Sequence, residues 1–279
     1  MSSEDAMNNH VPPQAPEVSD FEKPSTARMY DYYLGGSHNF EADRALAQRT
    51  IEIWPDAAHQ ARANRAFLRR SVAYLAEAGI DQFLDLGSGI PTSGNVHEVV
   101  GEVNPAAHVV YVDADAVAVA HSKGLLAHVP EVAAIQADLR DPQSVLGNPT
   151  VTALLDFDRP VALLTFAVLH FVPEEDDPAA ILATYRDATA PGSYLALSHW
   201  TNEYRPESAR LAEDVYAHSS HSARGRSREE IRALMAGYEL LEPGLVDIID
   251  WRPDPQSAPD PLGGDVTRYS ALGAVGRKV

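Results

Sequence analysis

The chain has 279 residues, 45% of them apolar, which is the composition of a globular protein with a substantial core. Its 40 acidic and 22 basic residues give a formal net charge of -18 at pH 7, which disfavours nucleic acids and anionic membranes as partners because both are negatively charged. The absence of cysteine excludes disulfide bonds, thiolate metal sites and a cysteine nucleophile.

The N-terminal part of the chain is predicted to be helical after a tail. Residues 1–24 combine acids, proline, serine and asparagine with few large apolar groups, so they are expected to form a mobile tail. Helical patterns follow around Tyr30, over 42–53 and over 57–78, and Gly79 stands where a left-handed C-cap is expected. We expect residues 25–79 to form a helical cap on the remainder, 80–279, within one domain.

From residue 81 onward, short apolar runs alternate with amphipathic segments, which is typical of parallel strands joined by crossover helices. The predicted strands are 82–86, 108–112, 133–136, 161–166 and 193–198. Two later runs, 245–251 and 267–275, resemble a final pair of strands. The pattern predicts an α/β fold with an N-terminal helical extension.

The longest apolar run, 161–172, is interrupted by Thr165 and His170. It is shorter than the roughly 20 residues of a membrane-spanning helix, and no basic segment followed by an apolar one stands at the N-terminus. We therefore expect a cytoplasmic protein that does not enter membranes. The sequence leaves a homodimer open.

The first predicted strand runs into a glycine turn, Asp85-Leu86-Gly87-Ser88-Gly89. Glycines at both positions let the backbone bend sharply and approach a ligand, and the start of the next helix offers unpaired N–H groups. A tight strand-to-helix connection without a ligand uses the same residues, so the turn alone does not establish a binding site.

Two further acids end the next two strands. Asp113 follows the second strand, where a carboxylate accepts both ribose hydroxyls of a nucleoside, and Asp138 follows the third, where it can meet the amino group of adenine. Each acid alone is also a suitable helix N-cap. Because parallel strands bring their carboxyl ends to one edge of the sheet, Gly87, Asp113 and Asp138 are expected to converge there around a nucleoside.

The same segments, Asp85-Leu-Gly-Ser-Gly89, Val112-Asp113 and Ala137-Asp138-Leu139, resemble the cofactor motifs of class I S-adenosylmethionine-dependent methyltransferases. A closer resemblance links most of the chain to an S-adenosyl methyltransferase family of actinomycetes, formerly a domain of unknown function. It is carried by residues 28–40, 61–68, 89–92, 95–97, 168–171 and 275–278. The resemblance implies a doubly wound, Rossmann-like sheet of seven mostly parallel strands, and S-adenosylmethionine as the cofactor, but no particular substrate.

The resemblance also implies a cofactor site formed by the glycine turn, the strand ends and the helical cap. The residues predicted to bind the cofactor are Tyr30, Tyr33, Arg62, Asp85, Gly87, Ser88, Gly89, Asp113, Ala114, Ala137, Asp138, Leu139, Phe166 and Ala167. For the tyrosines the alternative is core packing. For Arg62, or Arg65 in its place, the alternative is a solvated stripe on a helix.

Two departures from common methyltransferase patterns bear on function. Pro91 stands at the third glycine position of the turn, a change shared with the family, so the turn is expected to have a different shape there. The fourth strand ends in Thr165-Phe166-Ala167-Val168 and lacks the Asn/Asp-Pro-Pro-Tyr set that holds a planar nitrogen. Methylation of nucleic acid bases or glutamine is therefore disfavoured.

His170, just after the fourth strand, is the candidate general base, because histidine is the commonest group that removes a proton from a hydroxyl acceptor. His199, at the end of the fifth strand, is a second candidate. For both, the alternative is a hydrogen-bonded structural histidine. His218 and His221, three residues apart near Glu213 and Asp214, could share a helix face and bind a metal, but they are interpreted as polar surface, and no metal site is predicted.

The sequence therefore predicts a methyltransferase that acts on a small-molecule acceptor, by O- or N-methylation in secondary metabolism. A regulator that binds the cofactor without catalysis is one alternative, because the sequence establishes no acceptor-activating group. A nicotinamide-dependent oxidoreductase is disfavoured, because Thr92 stands where the Gly-x-Gly-x-x-Gly pattern requires glycine.

Overall fold

The computed structural model describes residues 23–91, 94–255 and 258–279. Nearly all of the predicted N-terminal tail, and Thr92 of the glycine turn, lie outside the described residues. The α-helices are α1 (Thr26–Leu34), α2 (Glu41–Ile53), α3 (Ala57–Glu77), α4 (Val96–Val103), α5 (Ala116–Leu126), α6 (Pro142–Leu146), α7 (Pro149–Leu154), α8 (Pro178–Ala188), α9 (Pro206–Tyr216), α10 (Arg228–Leu234) and α11 (Val266–Tyr269). The strands are β1 (Gln82–Leu86), β2 (His108–Asp113), β3 (Val132–Gln136), β4 (Ala162–Phe166), β5 (Tyr194–Trp200), β6 (Tyr238–Leu240), β7 (Val246–Asp247) and β8 (Ala271–Lys278).

The strands form one sheet in the order β3-β2-β1-β4-β5-β8-β6, with the short β7 paired to β8. Strands β1 to β5 are mutually parallel, and β8 is antiparallel to β5 and β6. The chain moves outward from β1 to β3 and then returns to β4 on the other side, which makes β1 and β4 the switch point where doubly wound sheets bind ligands. The predicted α/β fold class is confirmed.

Helices cover both faces of this sheet. Every residue of β1 and β4 is buried, which explains why apolar residues predominate in both strands, with Gln82, Asp85 and Thr165 as the polar exceptions. One face packs mainly against α3 and α4, and the other against α6, α7, α8 and α10. Within the described part of the chain, no helix is both long and apolar enough to cross a membrane.

The C-terminal strands differ from the prediction. The run 245–251 contributes only the two residues of β7, and the run 267–275 begins with helix α11 before β8 starts at Ala271. Asp265 caps α11, since its side chain accepts from the Thr267 N–H, and this local cap overrides the strand preference of the β-branched residues. The pattern missed β6, which is also an antiparallel neighbour of β8. A strand of three residues is too short to show the alternation of apolar and polar side chains.

The first helices are attached to the sheet edge through a buried ion pair. Arg28, 1% exposed, donates from Nε to Asp43 Oδ2 at 2.7 Å. The same carboxylate accepts from the Ser25 and Phe40 N–H groups, both at 2.8 Å. The Ser25 hydroxyl also bonds to Asp115, the N-cap of α5. Helix α1 is thereby held beside the carboxyl end of β2.

Candidate functional site

A cavity of about 740 Å³ lies where the parallel strands end, between the sheet edge and helices α1 to α3. Residues from the ends of β1 to β5 and from these helices line it. All of the residues predicted for catalysis or cofactor binding line this cavity except Arg62. The expected convergence of Gly87, Asp113 and Asp138 at one edge is therefore observed.

Arg62 is a correction, because its side chain is exposed and lies outside the cavity. Ala61, Asn64 and Arg65 form the face of α3 that lines the cavity, at the i, i+3 and i+4 spacing of one helix face. Arg65 donates from Nη2 to Asn95 Oδ1 at 3.1 Å. Its Nε is buried and has no hydrogen-bond partner among the described residues.

The glycine turn has the geometry that its sequence predicts. Gly87 and Gly89 have φ values of +75° and +65°, which disfavour any residue with a Cβ. A Cβ at Gly87 would lie 2.1 Å from Val168 Cγ2, whereas a Cβ at Gly89 would meet no atom of the described residues within 4 Å. The N–H groups of Gly87 and Ser88 both donate to the Val112 carbonyl, at 2.8 and 3.1 Å. The turn is thus tied to β2, and Gly89 leaves open space beside it.

Asp113 organises the turn as well as facing the cavity. Its Oδ2 accepts from the Gly89 N–H at 2.7 Å, and its Oδ1 accepts from the Asp115 N–H at 2.8 Å. Burial raises the pKa of Asp113 to about 6, although the hydrogen bonds from Asp115 and Gly89 lower it. Sequence reasoning predicted its position, but not its second role in holding the glycine turn.

Asp85 is the most perturbed carboxyl group of the site. It is 5% exposed, and no described residue donates a hydrogen bond to its side chain. Burial raises the pKa of Asp85 to about 7, with Arg65 lowering it and Asp113 raising it further. A cation arriving beside Asp85 and Asp113 would favour ionisation of both, so this end of the cavity is suited to a positively charged group.

We expect the Asp85 carboxyl to make the ligand-free protein less stable as the pH rises. This group titrates near 3.8 when unfolded and about 7 when folded. The folded chain therefore binds more protons in that window, and ionisation at pH 8 costs up to about 4 kcal/mol. Asp85→Asn should raise the melting temperature, by more at pH 8 than at pH 5. Thermal unfolding followed by circular dichroism measures this, and an equal effect at both pH values would contradict it.

Asp138, at the end of β3, is paired with Arg140. Arg140 donates from Nη2 and Nε to Asp138 Oδ2 at 2.6 and 2.9 Å, and from Nη1 to Asp176 Oδ2 at 3.0 Å. Burial raises the pKa of Asp138, but the hydrogen bonds from Arg140 outweigh it and lower the pKa overall. Asp138 is therefore an ionised acceptor at the cavity wall.

The two candidate histidines have different environments. His199 Nε2 accepts from Arg226 Nη1 at 2.9 Å, and Nδ1 donates to the Trp200 carbonyl at 2.7 Å. Burial and then Arg226 lower the pKa of His199 to about 3, so it is a neutral structural histidine. His170 lines the cavity, and its Nδ1 is buried without a partner among the described residues. Burial, then His199 and Arg226, hold the pKa of His170 well below its usual value.

His218 and His221 do not share one surface, which corrects the interpretation of both as polar surface. His218 is exposed, and its Nδ1 bonds to the Asp214 carbonyl. His221 lines the cavity instead. Helix α9 ends at Tyr216, so the three-residue spacing of the two histidines is not that of a helix face.

A hydrogen-bond chain that sequence reasoning missed crosses the site. Asn64 Nδ2 donates to the Tyr30 hydroxyl at 2.9 Å, and Asn64 Oδ1 accepts from Ser198 Oγ at 2.5 Å. Ser198 Oγ accepts from the Ala167 N–H at 2.9 Å. Ala167 has a φ of +51°, a strained conformation for alanine that this chain helps to hold. The sequence signal for Asn64 is that it lies in 61–68, one of the segments that carry the family resemblance.

Four aromatic side chains that the sequence did not single out also line the cavity, beside the predicted Tyr33. They are Trp54, Phe171, Trp200 and Tyr216. The rings of Trp54 and Trp200 meet edge to face with centroids 6.1 Å apart, and those of Phe171 and Tyr216 lie 5.6 Å apart. Trp54 and Phe171 follow α2 and β4, whereas Trp200 and Tyr216 are the last residues of β5 and α9, so only the fold brings the four together.

Comparison with known proteins identifies the relatives of this chain. A sequence model of one protein family, described as S-adenosyl methyltransferase, matches residues 12–278. The chain is similar to the solved structure of a candidate methyltransferase from Thermobifida fusca YX, with 43% identity, a TM-score of 0.86, and coverage of 93% of this chain and 96% of that one. It is also similar to a DUF574 family protein from Streptomyces avermitilis MA-4680, with 41% identity, a TM-score of 0.88, and coverage of 93% and 99%. No curated protein matches the chain.

Proposed function

Because the chain belongs to the S-adenosyl methyltransferase family and is an S-adenosylmethionine-dependent methyltransferase, we propose that it methylates a small-molecule acceptor by O- or N-methylation in secondary metabolism. One observation carries this proposal: Gly87, Asp113 and Asp138, which are expected to bind a nucleoside, line the same cavity as a group of aromatic side chains. When bound, S-adenosylmethionine supplies a methyl group on a positively charged sulfur.

The polar end of the cavity fits the methionine part of the cofactor. That part carries one carboxylate and one ammonium group. The unpartnered Arg65 Nε would donate to the carboxylate, and Asp85 would bind the ammonium group. Gly89 leaves space for the methionine chain between these two groups, since no atom of the residues that the structure describes lies within 4 Å of the position of a Cβ there. Gly87 and Ser88 complete the turn.

The strand ends of β2 and β3 fit the adenosine part. Asp113 would accept the two ribose hydroxyls while keeping its bonds to the glycine turn. Asp138 would accept the amino group of adenine beside Arg140, with Leu139 against the ring. Among the smaller neighbours, Ala114 and Ala137 leave room for the base, and Phe166 and Ala167 border the site at the end of β4. The hydroxyl of Tyr30 already bonds to Ala61 and Asn64, so Tyr30 would contact the cofactor with its ring.

His170 is proposed as the catalytic residue. Holding the methyl donor and the acceptor in line lowers the barrier by up to roughly 7–11 kcal/mol. A base that takes the acceptor proton adds about 10² to 10⁴-fold. The low pKa of His170 keeps its ring neutral, so that one nitrogen can accept a hydrogen bond from the acceptor hydroxyl.

The affinity for S-adenosylmethionine is expected to fall as the pH decreases through about 7. Asp85 must be ionised to bind the ammonium group, and its pKa in the ligand-free protein is raised to about 7. Protonation therefore competes with binding, and one pH unit below the pKa should weaken binding about tenfold. Calorimetric titrations at pH 6 and 8 measure this. Asp85→Asn should bind weakly at both pH values, and a pH dependence unchanged by that substitution would exclude Asp85 as its source.

The proposed function has a two-step test. Isothermal titration calorimetry is expected to detect binding of both S-adenosylmethionine and S-adenosylhomocysteine. If neither compound produces a heat of binding, the proposed cofactor site is wrong. Release of S-adenosylhomocysteine is then measured with pools of small molecules, peptides and nucleic acids. We expect release with small molecules alone, whereas release that requires a macromolecule would refute the small-molecule acceptor.

A further inference from the structure

The cavity has two chemically different parts. Its charged lining residues include Asp85, Asp113, Asp138 and Arg140, which lie around the proposed cofactor site. The other part, here called the aromatic compartment, is lined by uncharged side chains only. The aromatic compartment consists of Tyr33, Thr50, Trp54, Phe171, Trp200 and Tyr216.

Ring contacts join the aromatic compartment to His170. The His170 ring lies 4.3 Å from that of Phe171 and 6.4 Å from that of Trp200, centroid to centroid. On the other side, the hydroxyls of Tyr33 and Tyr216 are 3.2 Å apart and form a hydrogen bond with each other. The proposed base, His170, therefore lies at the wall of the aromatic compartment. The two tyrosine hydroxyls of the compartment already bond to each other.

Two buried polar atoms in this region have no partner among the described residues. One is Nε1 of Trp54, whose side chain is only 3% exposed, and the other is Nδ1 of His170. The indole N–H is a donor only, and a neutral imidazole offers one nitrogen as an acceptor. Buried polar groups are normally satisfied, so a ligand that accepts at one atom and donates at another would complete both once a small shift of the two rings turns these atoms toward the cavity.

The side chains that line the aromatic compartment carry no charge that could pair with a charged ligand. Arg226, a buried cation that bonds to His199, is also bonded to the Leu169 and Val172 carbonyls. Transfer of an unpaired charge into an apolar aromatic chamber is strongly unfavourable. Aromatic walls that meet edge to face instead favour a flat ring, which packs against them by stacking or edge contacts.

We propose that the methyl acceptor is an uncharged, planar aromatic compound with a hydroxyl group, bound in the aromatic compartment with that hydroxyl at His170 Nδ1. This inference rests on the proposed function and names the class of its acceptor. A second polar atom of the acceptor accepts a hydrogen bond from the Trp54 indole N–H. In the transfer, the methyl carbon–sulfur bond breaks with its electron pair left on sulfur, the oxygen–carbon bond forms, and the hydroxyl proton passes to His170.

Binding of acceptor analogues to the complex of the protein with S-adenosylhomocysteine tests the proposal without any turnover. Wild-type protein is saturated with S-adenosylhomocysteine and titrated at pH 7.5 with 2-naphthol, with 2-naphthoate as a charged ring of similar size, and with 2-decalol as its non-aromatic counterpart. We expect 2-naphthol to bind at least tenfold more tightly than either. Equal or tighter binding of 2-naphthoate or 2-decalol, or no binding of 2-naphthol up to millimolar concentration, would overturn the proposal. Failure of S-adenosylhomocysteine itself to bind would instead refute the proposed function.

Variants locate the binding site. Trp54→Phe keeps an aromatic ring but removes the N–H, and Trp200→Leu removes one wall. Trp200→Leu is expected to weaken 2-naphthol binding at least tenfold, and Trp54→Phe to weaken binding of 2,7-dihydroxynaphthalene more than that of 2-naphthol. Both should bind S-adenosylhomocysteine within twofold of wild type. Leu211→Ala is the control, because this residue is 42% exposed and lies outside the cavity. It should change the affinity for neither the naphthols nor S-adenosylhomocysteine. If 2-naphthol binds Trp200→Leu as tightly as wild type, the aromatic compartment is not its site.

Discussion

Asp113→Ala is expected to weaken binding of both S-adenosylmethionine and S-adenosylhomocysteine by roughly 10² to 10⁴-fold. Two hydrogen bonds from ribose hydroxyls to a carboxylate are each worth about 1.5–3 kcal/mol. The substitution also removes the acceptor for the Gly89 N–H at 2.7 Å and for the Asp115 N–H at 2.8 Å. The substitution thus removes hydrogen bonds to the glycine turn and to the ribose at the same time.

Asp113→Asn is the matched control for this prediction. Its amide oxygen keeps one acceptor of the same shape, so we expect a loss of only about 10 to 100-fold. Calorimetric titration of both ligands measures both variants, with circular dichroism to check the fold. If Asp113→Ala binds either ligand within threefold of wild type, the ribose does not lie at Asp113.

Gly87→Ala is expected to destabilise the protein by about 2–5 kcal/mol and to abolish cofactor binding. The residue has a φ of +75°, which costs about 1–2 kcal/mol for alanine. The new Cβ would lie 2.1 Å from Val168 Cγ2 and 2.8 Å from Val168 Cβ. Because the second of these atoms is fixed to the backbone, relief requires the turn itself to move, and such overpacking adds about 1–3 kcal/mol.

Two further variants separate strain from steric clash. Gly89→Ala has a similar φ, +65°, but its new Cβ has no atom within 4 Å in the described part of the chain, so it should cost only about 1–2 kcal/mol of stability. The double variant Gly87→Ala/Val168→Ala should regain part of the loss, because the smaller side chain removes the close methyl. Urea unfolding measures all three. Similar stabilities for Gly87→Ala and Gly89→Ala would show that the Val168 contact is unimportant.

The local sequence predicted the framework of the site well. The predicted strands 82–86 and 108–112 became β1 and β2, because strands covered on both faces are mostly apolar. The glycine turn and the strand-end acids Asp113 and Asp138 reached one cavity, since parallel strands share an edge. The methyltransferase family and its cofactor were confirmed by the comparisons. The binding roles of individual residues, the division of the chain at residues 79 and 80, the homodimer and the cytoplasmic location stay predictions.

Other features depended on side-chain direction, which a short motif does not specify. Arg62 and Arg65 are three residues apart in one helix, and only the packing of α3 decided that Arg65 lines the cavity. His170 lies just after β4 and His199 near the end of β5, yet Arg226 bonds only to His199. Arg226 itself lies 27 residues farther along the chain, so no local pattern distinguishes the two histidines.

By itself, the sequence determined the α/β sheet, the glycine turn and the order of the strand-end acids, because backbone conformation and burial of continuous apolar runs are set by neighbouring residues. Only the tertiary structure decided which groups remain unpaired and which face one another. The Trp54 and Trp200 rings, 146 positions apart, meet because α2 and β5 come together in the folded chain. The chemistry available to an acceptor is therefore a property of the assembled cavity, since it arises from contacts between segments that are distant in sequence.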